Sequence, residues 1–136
     1  MKSLSIWLRD QQGSTAAEFA LVLMPTVALI FGLIHFGVLL YSTNRLNFAV
    51  EATARCRATS ANAVTANPGY TTAPCRDTTT AQQYFTSQYQ GAATVATPTV
   101  QSAACGWQVI ATATYQVSAA IFARTVNLRA TACYPS

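Results

Sequence analysis

Charge is what this sequence has least of. Charged side chains make up 9% of its 136 residues, with four acids and a single histidine, whereas about a quarter of a typical soluble domain is charged. The acids, Asp10, Glu18, Glu51 and Asp77, lie far apart, so no carboxylate pair is set by spacing for acid–base work. His35 has no second histidine to work with, and neither a G-x-S-x-G elbow nor a phosphate-cradling loop occurs. The chain is therefore expected not to be an enzyme, and neither a cofactor nor a small-molecule substrate is expected. The net charge is +4, but the arginines at 45, 55, 57, 76, 124 and 129 form no dense run with interleaved aromatics. Nucleic-acid binding wants a clustered basic face, and none is expected here.

Closely spaced cysteines are also missing. Cys56, Cys75, Cys105 and Cys133 include no C-x-x-C pair, which argues against a thiol oxidoreductase. No two have the spacing of a zinc knuckle, and His35 lies inside an apolar run, so no metal site is expected. An even number of cysteines in a small domain favours two disulfides in an oxidising compartment.

What is present is one long apolar run. Phe19 to Tyr41 reads FALVLMPTVALIFGLIHFGVLLY, with no Asp, Glu, Lys or Arg. As a helix it spans about 35 Å, enough for a bilayer core of about 30 Å. It is too long for the core of a cleaved secretory signal, and YSTNRLNF follows it where a small-x-small cleavage site would be needed. Pro25 removes one helix donor, which membrane helices tolerate. Gly32 and Gly37 are five apart and make no GxxxG face. His35 reads as a polar side chain near the outer boundary, bonded to a backbone carbonyl. Lys2 and Arg9 precede the run and Arg45, Arg55 and Arg57 follow it, so the positive-inside rule does not set the orientation. The cysteines set it: the C-terminal side faces out.

The junction before the run is RDQQGSTAAEF, from Arg9 to Phe19. Glu18 stands alone at the head of the apolar helix, where a carboxylate is costly in lipid, although the helix dipole favours a negative charge there. Gly13, four residues, then glutamate and an aromatic resembles the prepilin-peptidase site of type IV-like pilins. The longer string GSTAAEFALVLMPTVALIFGLIHFG resembles the TadE-like family of the tight-adherence (Tad) pilus system. The resemblance is specific over about Arg9 to Arg57 and general beyond it.

The resemblance implies that a prepilin peptidase cuts between Gly13 and Ser14, and that Glu18, next to Phe19, serves assembly by neutralising a neighbouring subunit's terminal amine. Gly13 offers the protease unobstructed backbone, and pairing lowers the cost of a charge in low dielectric. It also implies that the partners are other pilin and pseudopilin subunits. The place implied is a bacterial inner membrane, crossed once, with the outer domain available to a surface pilus. Phe19 and a sizeable outer domain favour a minor pilin or pseudopilin that assembles, primes or caps the pilus. The alternative is an uncleaved single-pass accessory factor that recruits assembly proteins.

The organisation expected is a leader at 1–13, a membrane-spanning and extended helix at 14–66, and a disulfide-braced outer domain at 67–136. Leu46, Val50 and Ala54 recur at helical spacing past the membrane, up to the breaker Asn67-Pro68-Gly69. Asp77 can cap a second helix through about Tyr89, ended by Gly91. ATVATPTVQS, GWQVIATATYQVS and TVNLRATACY read as strands, the first an edge because of Pro98. Trp107, Val109, Ala111, Ala113 and Tyr115 share one face, more suited to a core than to a ligand site. The fold expected is α+β and pilin-like: a long helix, a second short helix and a three-stranded antiparallel sheet. Four cysteines allow three connectivities. Cys56–Cys75 would tie the connecting loop to the helix, and antiparallel strands would bring Cys105 and Cys133 together, so those two bridges are expected.

Overall fold

The computed structural model describes residues 12–66, 73–119 and 122–135. Helix α1 (Gln12–Ala66) is followed by α2 (Thr78–Gln88) and by strands β1 (Thr94–Val95), β2 (Thr99–Ala103), β3 (Gly106–Ala119) and β4 (Phe122–Tyr134). The chain divides into two compact units between Phe36 and Gly37, with α1 contributing to both. Most of the leader and the Asn67-Pro68-Gly69 breaker lie outside the described residues.

In the first unit, residues 16–34 are exposed without exception, including Phe19, Leu21, Val22 and Met24. The helix is long and apolar enough to cross a membrane. α1 runs through Pro25. Proline lacks the N–H that a helix would aim at the carbonyl four residues back; beside it, the Thr26 hydroxyl donates to the Val22 carbonyl at 2.7 Å.

The second unit is built on the rest of α1. From Gly37 to Ala66 the helix has neither proline nor a further glycine, and one stripe of it is covered: Ser42, Leu46, Ala49, Val50, Thr53, Ala54 and Ala58 are buried. This is the spacing by which a helix presents one face to a core. Against it lie Val100, Val109, Ala111, Ala113, Tyr115 and Ala130 from the sheet, and Ala81 and Phe85 from α2. Alanines on both sides let helix and sheet approach closely. Two polar groups caught in the contact are satisfied: the Ser42 hydroxyl accepts from the Ala92 N–H at 3.2 Å, and the Thr53 hydroxyl donates to the Ala49 carbonyl at 2.7 Å.

The sheet is antiparallel and has four strands rather than three. β4 pairs with β3 from Trp107↔Tyr134 to Ala119↔Phe122. A strand has two edges, so β1 and β2, which also pair with β3, share the other one. Thr94 opposes Thr114 and Thr99 opposes Ile110, so the edge advances five residues while β3 advances four. One extra residue is therefore accommodated between β1 and β2, as in a β-bulge. The segment expected as one edge strand is split there because Pro98 has no N–H for the ladder. β2 turns into β3 through Ala104 and Cys105. Gly106 has φ +113°, and a Cβ on it would collide with the Tyr134 carbonyl oxygen, so only glycine fits.

Asp77 caps α2, its carboxylate accepting from the Thr80 N–H at 2.8 Å, while the Asp77 N–H donates to the Thr80 hydroxyl at 3.1 Å. The helix ends at Tyr89, before Gly91; Tyr89 is extended and its N–H donates to the Phe85 carbonyl. The Thr80 backbone and side-chain bonds hold the Asp77 carboxyl below its ordinary range. A carboxylate with a depressed folded pKa contributes stability above the unfolded value, and that contribution is lost as pH falls through the folded one. Glu51 is the other acid of this unit and has no hydrogen-bond or ion-pair partner among the described residues. The acid-side loss of stability of this unit, below about pH 4, is therefore expected to shrink in Asp77→Asn, which keeps a capping oxygen. Thermal unfolding of both proteins across that range checks it.

Candidate functional site

Gly13 and Ser14 lie within the N-terminal end of α1. Glu18 follows on the same helix and is exposed, as is Phe19, which is 66% exposed. Glu18 has no hydrogen-bond or ion-pair partner among the described residues. The next charged residue along the chain is Arg45. An isolated carboxylate next to an exposed apolar helix is costly in lipid unless a partner arrives from outside the chain.

The second unit carries two covalent ties. Cys56 bonds Cys75, with Cα atoms 5.7 Å apart, and Cys105 bonds Cys133, with Cα atoms 6.1 Å apart. The first fixes α1 to the approach of α2, and Cys75 is fully buried. The second fixes the β2–β3 turn to the end of β4. Among the described residues no three His, Cys, Asp or Glu side chains gather where they could hold a metal.

Three arginines of α1 sit over aromatic rings, a pattern that their scatter in sequence hid. The Arg57 guanidinium lies 3.8 Å from the Trp107 ring centre, Arg45 5.3 Å from that of Tyr41, and Arg55 5.7 Å from that of Tyr134. Two of these rings come from the sheet, so only the fold brings the partners together. Burial pulls the Arg57 guanidinium below its ordinary range, partly offset by attraction to Asp77, and its Nε is buried with no hydrogen-bond partner. The ring face supplies the attraction that a carboxylate would otherwise give. Arg45 also donates from Nε to the Tyr41 hydroxyl at 3.0 Å. Of the three, Arg57 is the one with a buried guanidinium nitrogen; Arg55 and the Tyr41 ring stay exposed.

The opposite side of α1 in this unit stays open. Tyr41, Asn44, Phe48, Glu51 and Arg55 are spaced alternately by three and four residues. All five lie outside the core, and Phe48 is 54% exposed. A groove of about 460 Å³ runs beside them, lined by Phe48, Ala52, Arg55, Cys56 and Tyr84 among others.

No curated protein and no solved structure matches the chain. A family model described as TadE-like protein matches residues 13–55. The match takes in Gly13, Ser14, Glu18 and Phe19, the whole apolar run and α1 as far as Arg55. Over residues 13–55, then, the chain is similar to TadE-like proteins.

Proposed function

We propose that this chain is a minor pilin or pseudopilin that acts in the assembly, priming or capping of a Tad-type adhesive pilus, and that it catalyses no reaction. The observation that carries the reading is Glu18: an unpartnered carboxylate on an exposed apolar helix, within the TadE-like segment. A prepilin peptidase cuts between Gly13 and Ser14, and the amine released on one subunit finds the Glu18 carboxylate of another. The two disulfides support an outer domain facing an oxidising compartment, with the chain crossing the inner membrane once.

Mass spectrometry of the protein recovered from cells is expected to give Ser14 as its first residue. Gly13→Leu, which obstructs the backbone at the cut, is expected to leave the chain starting at Met1. Glu18→Ala is expected to be cut normally but recovered less in sheared pili. A native chain that starts at Met1 in cells with normal pili overturns the processing step and favours the uncleaved accessory factor.

A further inference from the structure

The β3–β4 hairpin is longer than the rest of the sheet, and its direction is set by contacts at both ends of the second unit. Arg57 stacks on Trp107 at the start of β3, and Arg55 leans over Tyr134 at the end of β4. Nearer the apolar run, Ser42 accepts from the Ala92 N–H, two residues before Thr94, which opposes Thr114. β3 therefore runs antiparallel to this part of α1. The lengths agree: α1 rises about 22 Å from Ser42 to Arg57, and β3 about 23 Å from Trp107 to Thr114. Past Thr114 the β1 ladder has ended, and among the described residues β3 goes on to Ala119 paired with β4 alone. This two-stranded arm reaches about 16 Å past the level of Ser42, the residue that directly follows the apolar run.

A ribbon of two strands is marginal in water, and this one has a sequence suited to another medium. From Val117 to Ala123 it reads VSAAIFA, with no charged residue. The next residue is Arg124, which opposes Val117 across the ladder, is exposed and has no hydrogen-bond or ion-pair partner among the described residues. On α1 the end of the apolar run is marked by Tyr41, whose hydroxyl accepts from Arg45. Aromatic and basic residues of this kind sit at headgroup level on a membrane helix. Val38 and Leu39 of the run and Val117 of the arm all pack on the fringe of the core, so the arm and the end of the run belong to one packed body.

We infer that the arm seats in the headgroup layer of the outer leaflet, its end at the acyl boundary and Arg124 on the lipid phosphates. The inference rests on the proposed membrane crossing. With Tyr41 at headgroup level, an arm of this length cannot stay above a layer about 5–7 Å deep. Open strand edges are not tolerated in hydrocarbon, which stops the arm at the boundary and leaves the exposed Gln116, Ser118 and Thr125 among the headgroups. The long arginine stem lets the Arg124 guanidinium reach phosphate from the edge of the apolar layer. Such seating braces the outer domain against the membrane that its helix crosses.

The test uses the full-length chain in vesicles of phosphatidylcholine and phosphatidylglycerol whose acyl chains carry bromine near the headgroup, which quenches tryptophan on contact. Emission is compared with that in unbrominated vesicles, and the unaltered chain, with Trp7 and Trp107, gives the baseline. Ala123→Trp, at an exposed position of the arm, is expected to lose as much emission as Phe36→Trp in the apolar run. Thr131→Trp, on the same strand about 26 Å away, is expected to lose none. Loss at 36 without loss at 123 overturns the seating and leaves the crossing intact. No loss at 36 overturns the crossing, and the seating with it. Equal loss at 123 and 131 also overturns the seating, because the domain then lies flat on the lipid. Added to Ala123→Trp, Arg124→Glu is expected to lower the loss severalfold, one basic residue at an anionic surface being worth about fivefold in binding. Arg124→Lys is expected to keep it. Undiminished quenching with Arg124→Glu, with both disulfides intact by non-reducing peptide mapping, overturns the phosphate contact.

Discussion

Replacing Phe85 by alanine is expected to cost the second unit about 3–5 kcal/mol, the range for truncating a fully buried aromatic. Phe85 is the largest of the completely buried side chains. It stands in the last turn of α2 and packs into the cluster that holds Leu46 and Val50 of α1 and Val109 of β3. Its ring is parallel to that of Tyr89, with centres 6.1 Å apart. Tyr89 in turn donates to the Ala93 carbonyl at 2.9 Å, fixing the chain before β1. Removing the ring therefore opens a cavity and loosens the link from α2 to the sheet. Small domains have about 5–15 kcal/mol in total, so a large share of the stability is at stake. Thermal unfolding of the full chain in detergent, followed by near-ultraviolet circular dichroism, should show a midpoint lower by more than about 15 °C. Helical signal from the apolar segment should survive it. A shift of only a few degrees would mean that α2 contributes little to the core.

The second large effect concerns the bridges, and here two physical accounts predict opposite orders. In the chain-entropy view the longer loop matters more. Cys105 and Cys133 are 28 residues apart and Cys56 and Cys75 are 19 apart, giving about 3.6 against about 3.2 kcal/mol. Packing reverses the order. Cys75 is fully buried in the core cluster, whereas Cys105 is an exposed turn residue. The end of β4 near Cys133 is also held by its pairing with β3. The variant Cys56→Ala/Cys75→Ala is therefore expected to lose about 3–5 kcal/mol, the bridge plus a cavity term. Cys105→Ala/Cys133→Ala is expected to lose less. Chemical denaturation of the two variants side by side decides it, and a larger loss in the second would put chain entropy ahead of packing.

How much of this was legible in the sequence depends on the range of the interaction. Asp77 as a cap is a local contact with Thr80, three residues away, and its residue type announces it. Leu46, Val50 and Ala54 are a periodic stripe on one helix, and all three are buried. The inward row Val109, Ala111, Ala113 and Tyr115 follows from alternation along β3. The end of α2 near Tyr89 was legible too. Two features were not. The split of the edge into β1 and β2 depends on register against β3, which no single-strand pattern contains. The stacking of Arg57 on Trp107 and of Arg55 on Tyr134 joins residues far apart in the chain, and only the folded sheet brings them within reach. At the candidate site the residue types Gly13, Glu18 and Phe19 were visible at once, because the contrast of one carboxylate with a long apolar run is itself a local signal.

The extra residue between β1 and β2 bears on what crowded copies do to one another. An open sheet edge is a template on which a neighbour's strand can zip up. Here one rim is interrupted where Pro98 offers no N–H and the bulge breaks the regular spacing of donors and acceptors. The other rim, β4, carries Arg124 and Arg129, both exposed, so two such rims meeting head-on would bring cation against cation. Both margins of the sheet are thereby guarded against runaway stacking. Domains brought close together can then touch without joining edge to edge.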